Sequence, residues 1–157
     1  MEYFSYQMDS PIGPLTIVRS SKGICSIDFE HIADRDGYIL SPNDSILQEA
    51  AHQLGDYFEG KRKDFSLNLD VYGTNFQKTV WKALETIPFG ETRSYQQIAE
   101  AIGNPKAVRA VGQANKSNPV PIIIPCHRVI GKNRALTGYA GKQTDKKEKL
   151  LTLEGAL

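Results

Sequence analysis

The chain has 157 residues, 40% hydrophobic and 24% charged with a net charge of +1, which suits one globular domain or two small lobes and excludes a disordered or fibrous protein. No apolar stretch approaches the roughly 20 residues of a membrane helix, and Met1-Glu2-Tyr3-Phe4 has neither the basic nor the apolar region of a signal peptide. Two cysteines, Cys25 and Cys126, make no disulfide framework and His31, His52 and His127 show no zinc spacing, so a reducing, cytoplasmic setting without a metal is expected.

Residues 3–8, 14–19 and 23–29 read as short strands, with turn signals at Ser10-Pro11-Ile12-Gly13 and Ser20-Ser21-Lys22-Gly23. They predict a small antiparallel sheet, with Cys25 a structural member of the last strand. Ala33-Asp34-Arg35-Asp36-Gly37 is polar and reads as loop. Residues 45–58 have a helical apolar face of Ile46, Leu47, Ala50, Ala51, Leu54, Tyr57 and Phe58, which leaves His52 on the polar side. Residues 65–69 alternate like a strand. Composition shifts near Val71-Tyr72-Gly73, so lobes of 1–72 and 73–157 are expected.

Helical signals dominate the second lobe. Thr74 and Gln77 form a capping box ahead of Phe76, Val80, Trp81 and Leu84, and Pro88 and Gly90 end that segment. Ser94 and Gln97 form another, opening a helix over 95–102 that stops at Gly103. Asn104-Pro105 supplies an N-cap and first-turn proline for a third helix, about 105–115. Two short helices about a glycine turn make a helix-turn-helix pattern, and the small residues of the second allow close approach to another surface. Prolines at 119, 121 and 125 keep Ile122-Ile123-Ile124 out of a central sheet and predict rigid extended chain leading to Cys126. Asp145 and Glu148 cap a last helix through Leu150, Leu151 and Leu153, with Gly155 beyond it. The expected fold is α+β: an N-terminal lobe with an antiparallel sheet and a helix, then a mainly helical lobe with the helix-turn-helix.

Pro125-Cys126-His127-Arg128-Val129 carries the chemistry. A thiol needs a base or a cation to become a thiolate at neutral pH, and a neighbouring imidazole offers one. Charge gathers in the same third of the chain. Residues 1–105 hold 9 Lys/Arg against 15 Asp/Glu, a balance of −6, whereas residues 106–149 hold 10 against 2, a balance of +8. That suits a polyanionic partner, and equally a solvated lysine-rich face.

From Thr74 to Gly155 the sequence resembles the O6-alkylguanine-DNA alkyltransferases, also called methylated-DNA–protein-cysteine methyltransferases. The likeness runs through Ser94-Tyr95-Gln96-Gln97, Gly103-Asn104-Pro105-Lys106-Ala107-Val108-Arg109-Ala110-Val111-Gly112, Asn118-Pro119-Val120-Pro121, Ile124-Pro125-Cys126-His127-Arg128-Val129-Ile130-Gly131, Thr137-Gly138-Tyr139-Ala140-Gly141 and Leu150-Leu151 with Glu154-Gly155. The first seventy residues resemble the family's variable N-terminal lobe more loosely.

The resemblance implies a monomeric DNA repair protein, without cofactor or membrane, acting on double-stranded DNA that contains O6-alkylguanine. It implies that the alkyl group moves once and irreversibly to Cys126. His127 would take the thiol proton through a water and Glu154 would orient His127. Asn118 would link this network to the helix-turn-helix, and Tyr95 would donate a proton or hydrogen bond to the purine. Arg109 would fill the gap left by the extruded base, while Lys106, Ala107, Ala110, Gly112, Tyr95 and Arg128 would meet DNA. Pro121, Val129, Tyr139 and Ala140 would line the pocket. Residues 142–146 look one residue longer than common family versions, which leaves Lys146 and Lys147 as two candidates for one family lysine. Glu154 would sit at a helix end, where its charge opposes the dipole unless a partner compensates. Two other readings compete: an alkylated-base-binding protein of the same fold without chemistry, and a cysteine hydrolase. The first lacks the acceptor cysteine, and the second would show protease signatures missing here.

Overall fold

The structure, a computed structural model, describes residues 1–131 and 144–157. The chain divides into two compact units, Met1–Tyr72 and Gly73–Leu157. Its α+β architecture has a four-stranded sheet in the first unit and most of the helix in the second.

In the first unit β1 (Tyr3–Ser10), β2 (Gly13–Arg19) and β3 (Ile24–Asp28) form an antiparallel meander, as the alternation predicts. A short β4 (Tyr38–Leu40) pairs parallel to β1, which makes the sheet mixed and orders it β3-β2-β1-β4. Three residues are too few to show a period, so β4 has no sequence signal. Helix α1 (Ser45–Phe58) is capped by Asp44, whose carboxylate accepts from the Leu47 amide at 2.9 Å and from the Arg19 Nε at 2.8 Å. Leu15, Ile17, Val18, Leu47, Ala50, Leu54 and Tyr57 make the core. Residues 65–69, expected as a strand, form a parallel bridge between Leu69 and Ile24 instead. The Gln53 side chain supplies the reason: its Oε1 accepts from the Ser66 amide at 2.9 Å, taking the donor that a ladder would use. Cys25, expected buried, is half-buried beside β2, with its thiol 3.4 Å from the Val18 carbonyl.

The second unit opens with α2 (Asn75–Glu85), whose Thr74–Gln77 capping box is complete. Trp81 is core, 3% exposed, and its indole N–H donates to the Ala114 carbonyl at 2.8 Å. That bond ties α2 to α4 (Val108–Lys116). Strand β5 (Arg93–Ser94) leads into α3 (Tyr95–Ala101), where the Ser94–Gln97 capping box is also complete. Helix α4 begins three residues later than predicted. The Asn104 carbonyl accepts from the Ala107 amide at 3.0 Å, so Asn104-Pro105-Lys106-Ala107 closes as a turn with proline at its second position. Asn-Pro serves either a cap or such a turn, and here the turn reverses the chain between α3 and α4. Helix α5 (Thr144–Leu153) ends the unit, one residue before Glu154. Among the described residues no helix is long and apolar enough to cross a membrane.

Candidate active site

The segment before Cys126 departs from the extended chain predicted for it. Residues 120–124 close on themselves, with the Ile124 amide donating to the Val120 carbonyl at 3.0 Å. Ile122 takes a left-handed conformation, φ 77°, that a β-branched side chain rarely adopts. Prolines 119, 121 and 125 have no N–H to give to a ladder, so the apolar run turns inward and buries Ile122 and Ile124 at 1% exposure. Asn118 clamps both ends of this turn. Its Oδ1 accepts from the Val120 amide at 3.0 Å, and its Nδ2 donates to the Ile124 carbonyl at 2.8 Å. The Cys126 amide donates to that same carbonyl at 2.8 Å.

Cys126 therefore begins a 3-10 turn, Cys126–Arg128, that runs into β6 (Val129–Ile130). Strand β6 pairs parallel with β5, Arg93 opposite Val129 and Ser94 opposite Ile130. Because Ser94 is also the cap of α3, this two-residue ladder sets Tyr95 in register with the turn that holds the thiol. Gly112 lies on the other side of Tyr95. A Cβ there would stand 4.0 Å from the Tyr95 ring, an ordinary van der Waals contact, so Tyr95 lies beside α4 at Gly112.

Behind the thiol, His127 (0% exposed) places Nε2 2.6 Å from Glu154 Oε2. Arg128 does not face outward as the resemblance implied. It is 6% exposed, and its guanidinium grips Glu154 from Nε at 2.9 Å and Nη2 at 3.1 Å while Nη1 donates to the Ile87 carbonyl at 2.6 Å. The physical reason is geometric: a planar fork fits one carboxylate from two nitrogens, and burying Glu154 leaves a charge that needs such a partner. The Gly90 amide adds a bond to Glu154 Oε1 at 3.2 Å, and Gly90 (φ 84°) lies where a Cβ would press on the Glu154 carbonyl at 3.2 Å. The carboxylate at the helix end thus has the compensation its position requires.

Burial pushes the Cys126 thiol up to about 12, against opposing pulls from the Asn118 hydrogen bond, then the Lys147 charge, then the Cys126 and His127 amides. Burial also depresses His127 below its ordinary value, although Glu154 works the other way. The resting site is a neutral thiol beside a neutral imidazole. With Nε2–H donated to Glu154, the other ring nitrogen, Nδ1, is the acceptor face of His127.

The remaining candidates separate by exposure. Lys106, Arg109 and Ala110 are exposed along one side of the turn and α4, and Ala107 and Gly112 are half-buried. Pro121 and Val129 are buried beside the cysteine turn. Tyr139 and Ala140 lie outside the described residues. Of the two lysine candidates, Lys147 is fully buried and Lys146 partly exposed. Sequence reasoning left that choice open, yet a signal existed: 147, 150, 151 and 154 repeat at helical spacing, and all four are buried. The Arg128 fork had no such signal, because its partner is 26 residues away.

Comparison with known proteins adds lineage to geometry. The DNA-binding domain of 6-O-methylguanine DNA methyltransferase matches residues 75–156, and the ribonuclease-like domain of the same family matches residues 3–71. The constitutive methylated-DNA–protein-cysteine methyltransferase of Bacillus subtilis is 49% identical, covering 98% of this chain and 96% of its own length. The methylated-DNA–protein-cysteine methyltransferase of Methanosarcina acetivorans is also 49% identical, with 94% and 96% covered. The crystal structure of Mycobacterium tuberculosis O6-methylguanine methyltransferase superposes with a TM-score of 0.89 at 44% identity, covering 98% of this chain and 93% of that one. A structure of that organism's protein in complex with DNA gives 0.89 at 46%, with the same coverage.

Proposed function

Because the chain belongs to the 6-O-methylguanine DNA methyltransferase family, we propose that it repairs duplex DNA by moving the alkyl group of O6-alkylguanine to its own Cys126, once per molecule. The observation that carries this is the line from Cys126 through His127 to Glu154: a nucleophile in a clamped turn, a neighbouring imidazole, and a carboxylate 2.6 Å from that imidazole. Nucleophile, base and orienter in sequence are the parts that activate a weak nucleophile.

The Cys126 proton passes to His127 Nδ1, and the imidazolium so formed faces the Glu154 carboxylate. Sγ bonds to the alkyl carbon as the bond from that carbon to O6 breaks. The electron pair goes to the purine, and Tyr95 gives the departing base a proton. The product thioether has no leaving group that water can displace, which makes the transfer single-use. Arg109, exposed on α4 with Ala110 beside it, suits the gap left by an extruded base, because its planar cation stacks and bonds. Lys106 adds charge along the same side. Two free cysteines support the cytoplasm as the place of action.

Intact-mass analysis after mixing with excess O6-methylguanine duplex tests the reading. One methyl per chain, mapped to Cys126, with the reaction then halted, is expected. Repeated turnover would overturn it in favour of a hydrolase, and tight lesion binding with no mass change would favour the binder without chemistry.

A further inference from the structure

Asn115, in the last turn of α4, takes no part in the steps above. It is 1% exposed, and neither its Oδ1 nor its Nδ2 has a hydrogen-bond partner among the described residues. A buried carboxamide left unpaired is costly, and native interiors hold few such groups. Helix formation does not account for it. Asparagine is a weak helix former, and α4 is closed by Ser117 rather than by this side chain. Its place on the helix is more telling. Residues three apart share a ridge, and the ridge here runs Arg109, Gly112, Asn115. Arg109 is exposed, and Gly112 stands beside the Tyr95 ring where α3 packs on α4. The next step of three reaches Asn118, just past the end of α4, whose amide clamps the turn that delivers Cys126. Asn115 is thus the buried continuation of a line that begins at the exposed arginine, passes Tyr95 and leads to the clamp of the thiol.

A carboxamide sets a donor and an acceptor side by side, and it matches a base edge that shows the same pair reversed. O6-alkylation takes the proton from N1 of guanine, so the 2-amino donor is then flanked by acceptor nitrogens on both sides. We propose that Asn115 is a specificity residue that reads this edge of the extruded base, with Oδ1 accepting from the 2-amino group and Nδ2 donating to a flanking ring nitrogen. The inference rests on the alkyl-transfer reading and deepens it. The pairing is noncovalent, so the protons and electrons of the transfer step stay as described. It also gives the site a preference. An O4-alkylated thymine carries a carbonyl oxygen where guanine carries the 2-amino group, so Oδ1 would there meet another acceptor.

The test measures single-turnover methyl transfer to Cys126 of the full chain from two duplexes that differ in one group. One carries O6-methylguanine, the other O6-methylhypoxanthine, which lacks the 2-amino group. The parent should react about tenfold or more faster with the first, because a base without the amino group leaves Oδ1 buried and unpaired. Asn115→Leu, of similar volume and without polar atoms, should slow transfer from O6-methylguanine by about tenfold and bring the two duplexes within about threefold of each other. A parent that treats the two duplexes alike overturns the proposal. So does a Leu variant that keeps the parent's preference, the result expected of a residue that only supports the fold. Should Asn115→Leu fail to fold, Asn115→Ala, which suits a helix, makes the same comparison with the same two outcomes. A parent that takes no methyl group from either duplex removes the alkyl-transfer reading itself, a result separate from these.

Discussion

At Glu154 one buried carboxylate serves His127, Arg128 and the Gly90 amide together. Glu154→Gln would leave the Arg128 charge buried without its counter-ion, so a loss of about 3–5 kcal/mol in stability is expected, the usual scale for breaking one side of a buried pair. Urea unfolding measures it, and a change below about 1 kcal/mol would mean that Arg128 finds another partner. The thiol gives a kinetic prediction. A Cys126 pushed up to about 12 would make the rate rise about tenfold per pH unit if ionisation to solvent came first. Passing the proton to His127 inside the site, as proposed, should instead make the rate nearly independent of pH around neutrality. His127→Gln removes that acceptor and should restore the steep rise; a flat profile in the variant would move the base elsewhere.

At the scale of elements, α3, the Asn104–Ala107 turn and α4 work as one piece, since the turn fixes where α4 begins and Tyr95 of α3 lies against α4 at Gly112. Arg109→Ala should slow repair in duplex DNA by tenfold or more, the order of a few kcal/mol invested in extruding a base, while leaving reaction with free O6-benzylguanine within about twofold. Equal loss on both substrates would contradict a role in extrusion. The helices with capping boxes were legible in the sequence because their determinants, Thr74 with Gln77 and Ser94 with Gln97, lie three residues apart. The start of α4 was misread because Asn104-Pro105 obeys two local rules at once. The turn at Ile122 was illegible for the opposite reason. No local preference places isoleucine at φ 77°; burial of its side chain and the Asn118 clamp impose it. Cys126 and His127 were legible as candidates because they are adjacent in one short motif, whereas the surroundings of Arg128 were not, since its partner Glu154 is brought near only by folding.

Over the whole molecule the charge is divided rather than spread, −6 over residues 1–105 and +8 over residues 106–149. Binding to DNA should therefore weaken steeply with salt, because each phosphate contact releases counterions. Lys106→Ala and Lys116→Ala, both exposed, should each lower the slope of log K against log salt by about 0.9 and weaken binding alike on damaged and intact duplex. A variant that weakened only damaged DNA would place that lysine at the lesion. Such a division also explains why a net charge of +1 conveys nothing about the partner.

Cys126 is 3% exposed and burial pushes its thiol well above the ordinary range, so the resting cysteine is held as the unreactive thiol at pH 7. For a protein that reacts once, this is a matter of shelf life. Peroxides, metal ions and stray electrophiles attack thiolates and largely ignore thiols, so a molecule awaiting damage stays unspent. In the proposed transfer reactivity would be created by the bound lesion and the proton transfer that accompanies it, and the same burial that makes the resting cysteine dull would preserve it for its single use.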